Sequence, residues 1–130
     1  SNYQKQHQGL YILLSDQSPL IEKTLYWTKF FGVKVPVHTG LEMLSKKFDL
    51  IVINHHTKKI KRGYYETLFE LVTENPKSFK NYELTEKYLN ITEKNIKESP
   101  ENYLWSHNRF KHKNKYEEWS NNYSPKKTKR

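Results

Sequence analysis

Asp16-Gln17 closes a short apolar run, Gly9-Leu10-Tyr11-Ile12-Leu13-Leu14-Ser15, and is followed by Ser18-Pro19. An unbroken apolar run of this length reads as a strand buried on both faces, as in a parallel sheet. Its polar end then lies at the carboxyl edge, where open α/β sheets place ligands. The plainer reading is that Asp16 caps a turn before Ser18-Pro19. His55-His56 invites a metal site, but neighbouring strand residues point to opposite faces, and no acid or third histidine lies close by in sequence. The absence of cysteine excludes a disulfide scaffold, a thiolate zinc site and a cysteine nucleophile. Asn90-Ile91-Thr92 is a glycosylation sequon in form only.

The elements that must position these residues follow from periodicity. Residues 20–38, with Trp27, Phe30-Phe31-Gly32, Pro36 and His38, lack a clear period and read as an ordered loop. Thr39-Gly40-Leu41-Glu42 fits a capping box, with Leu41, Leu44 and Phe48 along one face of a short helix. Leu50-Ile51-Val52-Ile53 reads as a second buried strand. After the polar turn from Lys58 to Gly63, Tyr65, Thr67, Phe69 and Leu71 alternate with Glu66, Leu68 and Glu70, so these two strands form a hairpin. Residues 83–98 place Leu84, Tyr88, Ile91 and Asn95 on one helical line with Leu89 and Ile96 beside it. Ser99 as N-cap and Pro100 at the first helical position predict a further short helix carrying Tyr103-Leu104-Trp105. The expected fold is α/β, with about three strands including the hairpin and two or three helices. A first strand buried on both faces, with so few helices to cover it, implies a chain cut from something longer.

Charge is unevenly spread over the 130 residues. The chain has 23 Lys+Arg against 14 Asp+Glu, a net of +9. Residues 107–130 carry eight basic and two acidic side chains, so two-thirds of the excess sits in the last 24 positions. Residues 112–130 read as a basic, mobile tail. Such a tail aids solubility, or is drawn to an anionic surface: a lipid leaflet, an acidic carrier protein or nucleic acid. No apolar run approaches the roughly 18 residues of a membrane span.

Three blocks, in order, resemble the bacterial lipid A biosynthesis acyltransferases. Ser99-Pro100-Glu101-Asn102-Tyr103 leads into Leu104-Trp105-Ser106-His107-Asn108-Arg109-Phe110-Lys111, similar to that family's carboxyl-terminal signature. Asp16-Gln17 after an apolar strand is the second block. Phe30-Phe31-Gly32 with Val35-Pro36, Thr39 and Gly40 is the third. The similarity runs from about Gly9 to Lys111, which makes residues 1–111 the carboxyl-terminal part of an acyltransferase domain with a partial three-layer fold. Two positions depart from the pattern: Ser18 stands where a second acid is common, and Asn108 where an Arg-Arg pair begins.

The resemblance implies transfer of an acyl chain from acyl-carrier protein to a hydroxyl of a lipid A precursor, at the cytoplasmic face of the bacterial inner membrane and without a cofactor. It also implies a catalytic His followed after four residues by Asp or Glu. His7, His38, His55, His56 and His107 lack that spacing, and His112 with Glu117 has it on the wrong side of every other block. No catalytic residue is therefore expected in this chain, which alone should be inactive. Asp16 is the supporting candidate, orienting an imidazole or a hydroxyl. Gln17, Arg109 and Lys111 are the substrate-binding candidates, Arg109 either gripping phosphate or tying the carboxyl-terminal block to a carboxylate such as Asp16. Phe31, Trp105 and Phe110 are expected in the core, and Gly32 and Gly40 in turns. Truncation predicts exposed apolar surface and self-association. The alternative is a small basic nucleic-acid-binding module, which would need aromatic side chains exposed on a charged face.

Overall fold

A computed structural model describes residues 9–125. His7 and the last five positions of the basic tail lie outside the described residues. The fold is mixed α/β: strands β1 (Tyr26–Phe30) and β2 (Val33–Val37), helix α1 (Gly40–Phe48), strands β3 (Val52–Lys61) and β4 (Tyr64–Thr73), and helices α2 (Glu83–Glu98) and α3 (Tyr116–Asn122). The strands pair as two separate antiparallel hairpins, β1–β2 and β3–β4. The second hairpin and helix α2 lie where periodicity puts them.

The first hairpin corrects the expected loop over residues 20–38. Phe31 and Gly32 both have positive φ (48° and 76°), the backbone a two-residue turn between twisted antiparallel strands requires. Glycine adopts it freely and phenylalanine does not. The exposed Phe31 N–H donates to Glu93 Oε1 at 2.7 Å, which helps to hold the turn. Phe-Phe-Gly lacks the usual Asn or Asp signal, so the pairing of Phe30 with Val33 through Tyr26 with Val37 is hidden in the sequence.

Residues 9–15, expected as a buried strand, form no regular element, and Leu10 is 88% exposed. An apolar run is a strand only when a neighbouring strand accepts its backbone hydrogen bonds, and none does so among the described residues. The helix expected after Ser99 is only a 3-10 turn at Pro100–Asn102, and Ser99 makes no side-chain cap. Part of the segment read as a mobile tail is instead helix α3, whose buried Trp119 donates Nε1–H to the Thr24 carbonyl at 3.1 Å and packs on Trp27. Two of the three aromatics expected in the core are exposed: Phe31 caps the turn and Trp105 is 62% exposed, whereas Phe110 packs on the core. Gly40 opens α1 without a positive φ.

Helix α2 joins two core clusters. Leu89 and Ile96 meet Phe30, Val35 and Val37 of the first hairpin, while Leu84 meets Val52 and Val72 of the second. The expected capping box does not form. Glu42, instead of folding back on Thr39, reaches the amino end of α2: Oε1 accepts from the Tyr82 N–H (2.8 Å), and Oε2 from the Thr85 N–H (2.9 Å) and hydroxyl (2.8 Å). Helix amino-terminal N–H groups have no partner within the helix, so this carboxylate caps α2 from another element. Lys46 closes the arrangement as an ion pair.

Burial alone would raise the Glu42 pKa, but hydrogen bonds from Lys46, Thr85 and Tyr82 outweigh it and hold it below the ordinary 4.5. A depressed carboxylate contributes stability above its unfolded pKa and loses it as pH falls through the folded value. Glu42→Gln is expected to cost about 1–3 kcal/mol in urea unfolding at pH 7 and to flatten the fall in stability below about pH 4.5.

Candidate functional site

Segments far apart in sequence converge below the first hairpin. The loop Asp16–Pro19 arrives from the amino-terminal side, His38 follows β2, and Tyr103–Phe110 returns from α2. The Ser18 N–H donates to His107 Nε2 at 2.9 Å, joining the first and last of these segments. In the neutral ring that acceptor nitrogen has no proton, so Nδ1 carries it. Tyr103 Oη lies 3.5 Å from the Asp16 carbonyl oxygen, at the limit of a hydrogen bond.

Arg109 is the centre of the group. Its side chain is the largest of those fully buried, with 2% of the residue exposed. Nη1 donates to the Pro36 carbonyl at 3.0 Å, and the guanidinium carbon lies 5.0 Å from the centroid of the Phe30 ring. Among the described residues Nε and Nη2 are buried with no protein acceptor, and the Ser18 and Tyr88 hydroxyls are likewise buried and unpartnered there. Burial lowers the guanidinium pKa from its ordinary value, while Tyr103, Tyr88 and Asp16 act the other way. Burial also pushes the Tyr88 hydroxyl far up, so it stays protonated at neutral pH. Unsatisfied donors on a buried cation are costly, and an anionic oxygen is the group that satisfies them best.

Of the sequence candidates, Asp16 and Arg109 belong to this group. Among the described residues no ion pair joins them: Arg109 is tied to a main-chain carbonyl instead, and Asp16 influences it at longer range. Gln17 is half-buried beside them and makes no side-chain hydrogen bond among the described residues. Lys111 is exposed, and its charge bears on His112. His112 and Glu117 are not hydrogen-bonded to one another. His55 and His56 face opposite sides of β3, against Phe69 and Leu68, and no cluster of three metal-ligating side chains exists among the described residues. The residues that sequence reasoning missed are His38, Ser18, Tyr88 and Tyr103. The motif around His107 was visible, but nothing in spacing linked it to Ser18, 89 positions away.

A cavity of about 270 Å³ opens between Tyr103, Trp105, His107, Arg109 and Phe110. A larger hollow of about 660 Å³ lies elsewhere, between β1 and α2, and none of these residues lines it. Arg109 is among the residues that line the smaller cavity.

The family model for bacterial lipid A biosynthesis acyltransferases matches residues 3–112 of the 130. The chain belongs to that family. No curated protein and no solved structure matches it significantly. In this acyltransferase-family chain, the blocks that carry the likeness in sequence are joined in space through Ser18 with His107 and Pro36 with Arg109.

Burial is the main cause that holds the His38 imidazole below its ordinary pKa of 6.5. Arg109 and His107 add to this, and Asp16 opposes them. Between the folded value and 6.5 the unfolded chain binds the extra proton, so stability rises with pH through that window. Unfolding midpoints in urea are expected to fall between pH 7.5 and pH 5.5, and less steeply for His38→Gln. An unchanged slope in the variant would contradict this assignment.

Proposed function

We propose that this chain supplies the acceptor-binding side of an acyltransferase that moves an acyl chain from acyl-carrier protein to a hydroxyl of a lipid A precursor. The observation that carries the reading is the buried Arg109 fork, two of whose donors have no protein acceptor among the described residues, with a cavity that Arg109 helps to line. A guanidinium in that state suits a sugar phosphate, and the family's substrate is a phosphorylated glycolipid precursor. The half-buried Asp16 fits the second role, orienting the acceptor hydroxyl or an imidazole supplied from elsewhere. Gln17 and the exposed Lys111 would add further polar contacts to the same ligand.

In the reaction the acceptor oxygen forms a bond to the thioester carbon, the carbon–sulfur bond breaks, and the hydroxyl proton ends on the departing thiol. A base must hold that proton in transit. Neither His38 nor His107 is hydrogen-bonded to a carboxylate among the described residues, so the base is not assigned to either. The 130-residue chain alone is therefore expected to give background acyl transfer. Turnover that Asp16→Ala abolishes would overturn this division of labour.

Location at the cytoplasmic face of the inner membrane belongs to the same proposal. So does self-association, for which the exposed Leu10, Ile12 and Leu14 offer apolar surface. Light scattering should give a mass that rises with concentration, and a constant monomer mass would contradict it. A nucleic-acid-binding role gains no support from the family match.

Binding of an acylated glucosamine disaccharide in mixed micelles tests the anionic grip. The phosphorylated form should bind more tightly than the dephosphorylated one, and Arg109→Gln should lose about 10–100-fold, the worth of a charged hydrogen bond. The unaltered protein provides the decisive comparison if that variant folds poorly. Equal binding of the two ligands would contradict the reading.

A further inference from the structure

The β3–β4 hairpin sorts its charges by face. Ile53 registers with Leu71, His55 with Phe69 and Lys59 with Tyr65 on one side, with no acid among them. Glu66 and Glu70, the acids of the two strands, register with Lys58 and Asn54 on the other. Lys58 is also held on that side, 3.4 Å from Glu98 at the end of α2. Beyond it the hairpin end, Lys59-Ile60-Lys61-Arg62-Gly63-Tyr64-Tyr65, has three cations and no acid. Ile60 is 62% exposed, and Tyr64 and Tyr65 are each 61% exposed.

We propose that this hairpin end docks on an anionic lipid bilayer. Lys59, Lys61 and Arg62 would lie against lipid phosphates, with Ile60 and the tyrosine rings at the acyl boundary. Charge complementarity identifies the occupant: clustered cations without acids are drawn to anionic leaflets, and tyrosine settles at membrane–water interfaces. A single-stranded nucleic acid would use the cations and the rings, but has no use for the exposed Ile60 between them. The inference deepens the acyltransferase reading and rests on it, because it says where the chain meets the lipid phase that holds its acceptor.

The chain has no cysteine, so Ile60→Cys and Asn121→Cys each take one polarity-sensitive fluorophore in the full-length protein. With vesicles of phosphatidylcholine and phosphatidylglycerol, the label at position 60 should shift to the blue and the one on α3 should not. Pure phosphatidylcholine should leave both unchanged. Changing Lys59, Lys61 and Arg62 together to Gln should weaken vesicle binding about 100-fold, and added salt should weaken it too. The proposal is overturned by no shift at position 60, by a shift at position 121 alone, by binding that the triple variant retains, or by an oligonucleotide that outcompetes the vesicles. No shift at position 60 with phosphate-dependent binding of the disaccharide intact would remove the docking element alone. A shift there without that phosphate preference would remove the acceptor reading alone.

Discussion

A guanidinium withdrawn from water has five N–H donors to satisfy, and Arg109 has satisfied only part of that demand. Its bond to the Pro36 carbonyl is available because β2 has an open edge in a two-stranded hairpin: Pro36, which has no N–H to give the ladder, sits where the backbone faces outward and leaves its carbonyl free. The Phe30 ring covers the guanidinium from β1. One side chain thereby fixes the carboxyl-terminal block against the first hairpin, while Nε and Nη2 have no protein partner among the described residues. Buried polar groups in folded proteins nearly always have a partner, so the two unpaired donors are what the proposed grip on an anion rests on.

The rest of the fold keeps that cation in place. Helix α2 carries side chains into both core clusters, so the two hairpins share one spine. Glu42 anchors the start of that spine from α1, and the 3-10 turn at Pro100–Asn102 ends it and sends the chain back toward the Asp16 loop. His107 then receives the Ser18 N–H. Two of these joints, Glu42 on α2 and the Ser18 N–H on His107, are polar groups satisfied by partners distant in sequence, in a chain whose aliphatic supply is small.

What the sequence made legible was periodic. The β3–β4 hairpin and α2 were visible because alternation and a 3.6-residue period survive in single sequences. The β1–β2 hairpin was not, because its turn places a phenylalanine at positive φ and no composition rule announces that. The run from Leu10 to Leu14 looked like a strand by hydrophobicity, but hydrophobicity does not supply a pairing partner. Glu42 spaced itself from Thr39 like a capping box and capped a different helix, 43 positions on. The site was half legible. Asp16 and Arg109 stood out through their motifs, while Tyr88 and His38 joined through tertiary packing that spacing does not encode.

The free donors of Arg109 are the centre of this account, and side-chain NMR observes them directly. With the guanidinium nitrogens labelled, titration of the intact chain with the phosphorylated acyl-glucosamine disaccharide should move the Arg109 Nε–H resonance and slow its exchange with water. The dephosphorylated ligand should leave it in place. Saturating binding of the phosphorylated form with that resonance unmoved would contradict the account.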